Sequence, residues 1–472
     1  MSPTSHCRRP VALALAIACA LCLPLAAQAQ TSTSTRAVSA REQQLEQRVD
    51  QLEQEVAQLK QMVQAQHSQP AATPATAPAA PAQNVAATPA PAKPVFSSAP
   101  GVSVALHGFI SASAFSQNRS FTYGNGQNAL FPEPGSKGTL SGFDVRNTRF
   151  WLDFSGAKLA GDWVGGGRIE MDFFGGFNGT GAYSRQQPMP RLRQAYMDLT
   201  NPDTGSTVRI GQQWDLMFPL DNVTTSLAHI AFPLAFGSGM IGWRYPGVVW
   251  MQDLNHGTTG AKWRLDLGAF DGSWAGPGNN VNYLSAGNAG FRPQIEARLH
   301  VQDTHWLAYL AAHYSQVDLR GVGNAVAAPV KSQVTSAGYE LGGQWKPGPW
   351  SFKGQVYTGQ GLGELFGAMS QFGDIKETGG YLQAGYSFTP NWSLYGLYAY
   401  AKPNSGDVIR WMGHGATGLL RNRQAALGLQ YEAGSYALGV ELLHDKLDST
   451  TDGSDRKTTT GNQLSLNALY HF

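Results

Sequence analysis

Seven basic side chains frame the chemistry available to this chain. Arg149, Arg168, Arg191, Arg193, Arg209, Lys262 and Arg264 stand among apolar neighbours in short alternating segments. A guanidinium holds its charge at any physiological pH, and its planar fork grips a carboxylate or phosphate through two hydrogen bonds. Lined up on one surface, such groups form a ladder that attracts and guides anions. The plainer alternative is pairing with Glu170, Asp172, Asp198 and Asp266 on neighbouring segments, which would only satisfy a polar interior. No nucleophile–base arrangement accompanies the arginines: G-x-S-x-G and H-E-x-x-H are missing, and the eleven histidines have no metal-ligand spacing. Gly124-Asn-Gly126-Gln-Asn-Ala129 has the letters of a dinucleotide loop, but Phe131-Pro132 stands where a helix would have to start. The sequence therefore predicts neither catalytic residues nor a metal or other cofactor.

The elements that carry these arginines alternate with period two. Arg168, Glu170 and Asp172 alternate with Ile169, Met171 and Phe173, and Lys262, Arg264 and Asp266 with Trp263, Leu265 and Leu267. Gln294, Glu296, Arg298 and His300 alternate with Ile295, Ala297 and Leu299. One strand face is charged and the other apolar. The apolar face is rich in Trp, Tyr, Phe, Gly and Ala rather than in the dense aliphatics of a soluble sandwich. Trp151, Trp163, Trp250, Trp306, Trp350, Trp392, Tyr400 and Tyr436 fall near strand ends, as in the interfacial girdles of a membrane barrel. Leu464, Leu466, Ala468, Tyr470 and Phe472 form a final amphipathic strand ending on an aromatic. Moving an arginine from the interior to the lipid midplane costs ~2–4 kcal/mol, so the strand register should be tightly held.

Sixteen strands are expected: 102–116, 145–155, 164–174, 191–199, 207–214, 241–252, 261–270, 293–301, 305–316, 336–346, 350–358, 378–388, 391–401, 422–432, 435–445 and 461–472. An even count suits a single-chain barrel, and about sixteen strands leave room for an aqueous path. Lys346-Pro-Gly-Pro349 and Thr389-Pro-Asn391 read as tight turns. Segments 116–144, 271–292, 317–335, 402–421 and 446–460 read as long loops. Segment 215–240 is unusually apolar for a loop, with Phe218, Phe232 and Phe236 beside Pro219 and Pro233. It is expected to fold into the barrel and narrow it, with Asp221 and His229 as lining groups.

Composition agrees with a large β protein. The 472 residues include 55 Gly, with 11% aromatic but only 14% charged residues, against about 25% charged in an average domain. Mean hydropathy is −0.25, and beyond the first segment no run approaches the ~20 apolar residues of a membrane helix. Arg8-Arg9, the apolar run from Val11 to Leu25 and Ala27-Gln28-Ala29 make residues 1–29 a signal peptide. All three cysteines lie inside it. Its loss removes two of 34 basic groups and leaves 32 against 32 acidic ones. A neutral chain without a basic block is a poor match for nucleic acid.

Residues 38–66 read as a coiled-coil helix with Leu45, Val49, Leu52, Val56, Leu59 and Val63 as its seam. Three heptads alone are marginal, so the helix is expected to self-associate. Residues 70–100, with eight prolines, form an Ala/Pro-rich spacer. Residues 101–472 are the barrel. The predicted fold class is thus an all-β, transmembrane antiparallel β-barrel of about sixteen strands behind a short coiled-coil helix and linker.

The segments Arg168-Ile-Glu-Met-Asp-Phe-Phe-Gly175, Arg191-Leu-Arg-Gln-Ala-Tyr196 and Gly211-Gln-Gln-Trp214, in this layout, resemble the DcaP-like trimeric porins of Gram-negative outer membranes. The likeness is clearest over residues 100–250 and architectural beyond; the long Ala/Pro linker departs from the family. It implies a homotrimeric channel surrounded by outer-membrane lipid, with its coiled coil in the periplasm, a positive constriction and small anionic solutes such as dicarboxylates. Arg191 and Arg193 look like the family's lumen arginines. A phosphate-selective or general porin is the nearest rival. A tether, whose coiled coil contacts the cell wall or a periplasmic partner, is the alternative from another class, and a barrel hydrolase lacks a motif.

Overall fold

The computed structural model describes residues 95–99, 101–122, 124–159, 161–177, 183–272, 293–318, 330–331, 333–369 and 372–472. The expected signal peptide, the expected coiled-coil seam and most of the expected linker lie outside these residues. Eighteen strands are described. β1 (Val95–Ala99), β2 (Val102–Gln117), β3 (Leu140–Asp144), β4 (Arg149–Lys158), β5 (Val164–Asp172) and β6 (Arg191–Asn201) come first. β7 (Ser206–Trp214), β8 (Arg244–Asp253), β9 (Lys262–Phe270), β10 (Gln294–Gln302), β11 (Trp306–Asp318) and β12 (Gln333–Trp345) follow. β13 (Trp350–Gln360), β14 (Lys376–Ser387), β15 (Trp392–Pro403), β16 (Leu419–Ala433), β17 (Tyr436–Ser449) and β18 (Lys457–His471) complete the sheet.

From β4 onward each strand pairs antiparallel with the next, and β18 pairs with β2, so the sheet closes on itself. β3 and β4 lie end to end along the same edge of β2, beside residues 113–117 and 103–109. They make one stave, and the barrel has sixteen staves. Closure removes the exposed sheet edge that an open sheet would leave to aggregation. Each predicted segment supplies one of these strands.

Burial alternates as the sequence pattern requires. In β17, Ala437, Glu441, Leu443, Asp445 and Leu447 are buried, whereas Leu438, Val440 and Leu442 are exposed. Arg168, Glu170 and Asp172 face inward, and Ile169 faces outward. The outward Trp250, Trp306, Trp350, Trp392 and Tyr436 stand near the ends joined by short turns. Trp151 is the exception to the expected girdle. Its ring stacks on His107 at 5.4 Å and lies under the Arg168 guanidinium, so it faces inward with Arg149 and Asp153. Its position on β4 places it on the inner pleat, whatever its affinity for an interface.

Several boundaries also differ from the expected ones. β1 occupies residues assigned to the spacer; it pairs with Val102–Ala105, beyond the point where β18 ends at the level of Phe109. The predicted loops 402–421 and 446–460 are largely strand and helix. β15 runs to Pro403, α1 (Ser405–Trp411) follows, β16 starts at Leu419, and only residues 450–456 separate β17 from β18. Thr459, Thr450 and Ser449 are polar yet buried, which is why hydropathy alone ends these strands too early. The terminal Phe472 donates its backbone N–H to Gly108, where a Cβ would collide with its ring.

The barrel core is made of inward-folded loops. Phe121, Leu130 and Phe131 from the β2–β3 connection and Phe218, Phe232 and Phe236 from the β7–β8 connection pack on Tyr381, Tyr395, Ala399, Leu443 and Leu447 of the inner wall. Leu362, Leu365 and Ala368, between β13 and β14, pack with Met217, Tyr309 and Tyr357. These loops are apolar because the surface they face is itself partly apolar.

Candidate functional site

The basic residues on β4–β9 line up inside the barrel as ion pairs rather than as free cations. Arg168 is register partner to Asp153 and grips it through Nε at 2.6 Å and Nη2 at 2.9 Å. Arg209 faces Asp198 across β6 and β7 at 2.7 and 2.8 Å. Arg264 donates to Asp266 at 2.7 Å, and Arg298 reaches the same carboxylate at 3.1 Å. These rungs realise the plainer alternative, in which acids compensate the arginines, across strands for Arg168, Arg209 and Arg298 and within β9 for Arg264. Lys262 stands apart at the short-turn end of β9, exposed, with its ammonium on the Thr258 carbonyl.

Toward the long-loop end the balance changes. Arg193 is buried and bonds both Glu170 and, at 2.8 Å, Asp172. Arg191 holds Asp172 through two bonds of 2.6 and 3.0 Å. Arg149 Nε is 3.7 Å from Glu170, and Gln194 donates to the same carboxylate at 2.7 Å. A β-bulge creates this convergence: Glu170 opposes Gln194 while Met171 opposes Leu192, leaving Arg193 as the extra residue. The bulge aims Arg193 and Gln194 to the same side, which strict alternation forbids.

Aromatic rings complete the cluster. The Arg244 guanidinium lies 4.2 Å from the Trp243 ring and 4.7 Å from Trp214, and makes no ion pair among the described residues. Arg191 also lies over Trp243, at 5.7 Å, and over Phe232 and Phe174 at 5.0 and 5.3 Å. Arg146 sits 4.6 Å from Phe174 and bonds Asp144 at 2.7 Å. A weakly hydrated guanidinium tolerates burial against a π face better than an ammonium does. Five arginines (146, 149, 191, 193 and 244) thus meet three carboxylates (Asp144, Glu170 and Asp172).

Arg146 and Arg244 carry no sequence signal, and Arg298 has one only as part of a charged face. Arg146 lies between β3 and β4, and Arg244 opens β8 beside an internal proline, so neither has alternating neighbours on both sides. Arg298 was visible in the alternation of β10, but its acid partner is set by register with β9.

The β7–β8 connection crosses from this wall to the opposite one. Leu216 N–H donates to Glu296 at 2.6 Å, Thr225 N–H to Gln383 at 2.6 Å, and Ala235 N–H to Gln424 at 2.7 Å. Asn222 donates to the Gly354 carbonyl at 3.0 Å, and Lys353 to Val223 and Thr225 at 3.1 and 2.9 Å. Asn147 returns two bonds from the arginine side, to Ala228 and Ala231. Gly239 has φ of 142° and lies so close to the Gly380 carbonyl that a Cβ would collide with it. The predicted inward loop therefore lies inside the barrel. Asp221 is exposed on it, 3.4 Å from Gln302 Nε2. His229 is 2% exposed and sits 2.7 Å from Glu441. It fastens the loop to β17 instead of offering a surface to passing solute, because its apolar setting leaves Glu441 as its polar partner.

A closed antiparallel barrel, apolar outside and charged within, defines a membrane channel protein, and family and fold point to a channel rather than an enzyme. The family model for Gram-negative porins matches residues 71–406, and the chain belongs to this family, whose place is the outer membrane. Among solved structures, the outer membrane channel DcaP of Acinetobacter baumannii is similar at 19% identity and a TM-score of 0.60, covering 80% of this chain and 99% of that one. The anion-selective porin from Comamonas acidovorans aligns at 14% identity and a TM-score of 0.52, over 79% and 100%. OmpF of Salmonella typhi aligns at 13% and 0.51, over 79% and 98%. No curated protein sequence matches the chain.

Proposed function

We propose that this porin is a passive, anion-preferring channel whose selectivity arises at the Arg146–Arg149–Arg191–Arg193–Arg244 cluster, and that it carries small carboxylates such as dicarboxylates. The surplus of guanidinium over carboxylate in that cluster carries the reading. Low-dielectric walls concentrate the field of uncompensated charge, raising the local anion concentration and replacing part of the hydration shell. Glu170 and Asp172 hold the arginines in place while cancelling only part of their charge. The β7–β8 loop, fastened to the far wall, narrows the passage to the arginine side, with Asp221 on its exposed edge. The similarity to a porin described as anion-selective supports the same direction.

The test is the zero-current potential in a planar bilayer under a KCl gradient. An anion-selective potential that moves most of the way to zero in Arg149→Gln/Arg191→Gln is the expected result. A cation-selective or unselective wild-type pore would overturn the proposal and shift weight to Glu170, Asp172 and Asp221.

The working unit of the proposal is a homotrimer with the N-terminal helix in the periplasm, as the DcaP resemblance implies. β1 belongs to the barrel, so the informative truncation removes residues 30–94 only. Trimers on native gels should weaken without vanishing, and conductance should persist. Complete conversion to monomer would assign trimerisation to the coiled coil, and loss of a cell-envelope phenotype with intact conductance would favour the tether.

A further inference from the structure

We propose that the outer wall of β14–β17, at its long-loop end, binds the phosphorylated sugar headgroups of the outer leaflet lipid. The outward residues there are unlike those of a lipid-facing wall. Lys376 and Lys402 project from β14 and β15, Arg421 and Arg423 from β16, and Lys446 from β17. They continue the pleat face that carries Leu382, Tyr398, Leu427 and Leu442, all exposed. Asp448 is the single carboxylate among them. It accepts from Arg421 Nε at 2.8 Å and Arg423 Nη2 at 3.1 Å. Five cations of this face thus share one acid on the same face, with the Asp407 carboxylate of α1 beside them at 3.2 Å from the Lys376 backbone N–H, and the patch stays basic.

The register sharpens the anomaly. Arg423 and Lys446 are direct partners across β16 and β17, and like charges placed opposite each other destabilise a sheet. Arg423 Nε is buried without a hydrogen-bond partner, and Lys376, Lys402 and Lys446 have no ion-pair partner among the described residues. An anion with several acceptor oxygens would relieve both defects. At the same level β10–β13 present Ile295, Tyr314, Gln316, Thr335 and Thr358, without a cation among the described residues. The charge on β14–β17 therefore has no counterpart on β10–β13.

The height of the patch names the occupant. Lys402 lies ten residues after Trp392, and Lys446 ten after Tyr436, both aromatics of the short-turn end. At about 3.3 Å per residue and a tilt near 40°, that is about 25 Å, the height of a barrel's apolar band. The cations stand where the hydrocarbon ends and anionic headgroups begin. A groove of about 530 Å³ opens beside them, lined by Tyr339, Thr358, Thr378, Lys376, Lys402 and Asn404. Hydroxyls and amides there suit sugar, and the lysines suit phosphate.

The experiment titrates the purified full-length protein in detergent with bisphosphorylated lipid A, its dephosphorylated form and inorganic phosphate, with bound lipid read by native mass spectrometry. Wild type should hold bisphosphorylated lipid A at least tenfold more tightly than the dephosphorylated form. Lys376→Gln/Lys402→Gln/Arg423→Gln/Lys446→Gln should abolish that preference while leaving the zero-current potential unchanged. Equal binding of the two lipids, an unaltered preference in the variant, or displacement of the lipid by equimolar inorganic phosphate would overturn the proposal. Loss of the oligomer with unaltered lipid binding would assign the patch to a subunit contact instead. Should the variant fail to fold, salt decides on wild type: binding must fall steeply between low and 0.5 M NaCl on the order expected from the Debye length, and salt-independent binding overturns it.

Discussion

The two halves of the inner wall satisfy buried charge in opposite ways. On β4–β9 most inward carboxylates meet arginines: Asp153 with Arg168, Asp198 with Arg209, Asp172 with Arg191 and Arg193, and Asp266 with Arg264 and with Arg298 of β10. On β12–β17 the acids meet neutral donors. Tyr309 donates to Glu340 at 2.6 Å, Tyr357 to Glu377 at 2.6 Å, and Gln424 to Asp445 at 3.1 Å. Glu377 also accepts from Met369 N–H, and Glu441 accepts from Ser226 at 2.5 Å and from Tyr395. The first wall binds strand to strand and keeps the Arg168, Arg191, Arg209 and Arg264 guanidiniums partly exposed, while Arg193 and Arg298 are buried. The second uses its acids to fasten loops and hides them. Buried carboxylates can serve as architecture when hydroxyl and amide donors surround them, and the charge left facing the interior is then basic.

The largest effect should come from breaking the loop-fastening wall. Glu441→Ala orphans Ser226, His229 and Tyr395, at ~1–3 kcal/mol for each buried donor left unsatisfied. Release of the β7–β8 loop should raise single-channel conductance severalfold in planar bilayers. Unchanged conductance would mean that Gln383, Gln424 and Glu296 hold the loop without it. Next in size, Arg149→Gln/Arg191→Gln strips two charges from the cluster and should remove most of the anion preference, as measured by zero-current potential. Arg244→Met keeps the apolar stack on Trp243 and Trp214 but deletes one charge. A smaller shift in the same direction is expected, and no shift would exclude Arg244 from the conducting field. The smallest effect belongs to the neutral rung. Arg168→Gln/Asp153→Asn removes a half-exposed pair worth ~0–1 kcal/mol, so selectivity and heat-stability on gels should hardly move. A large change there would erase the distinction between compensated rungs and the surplus cluster.

Much of this contrast is hidden from the primary sequence. Alternation at 168–173 and 262–267 fixes which side chains point inward, because a one-residue slip would place arginine in lipid. It does not reveal that Arg193 bulges, since a bulge is a property of two strands and appears only in the pairing of Glu170 with Gln194. The apolar character of 215–240 marks the loop as buried, yet nothing local pairs His229 with Glu441, 212 residues away. The β2–β3 connection read as an ordinary loop because Leu130 and Phe131 are too few to betray a segment that packs on β16.

By itself the sequence determined a charged-inside, apolar-outside barrel of sixteen staves, since period-two patterning and the cost of charge in hydrocarbon leave no other arrangement for these segments. Only the tertiary structure decided which arginines are neutralised. Closure of the sheet sets the cross-strand register, register sets each carboxylate's partner, and the loops folded inside claim the acids of the far wall. Electrostatic balance depends on distances of a few ångströms between residues far apart in the chain, and no local pattern encodes them.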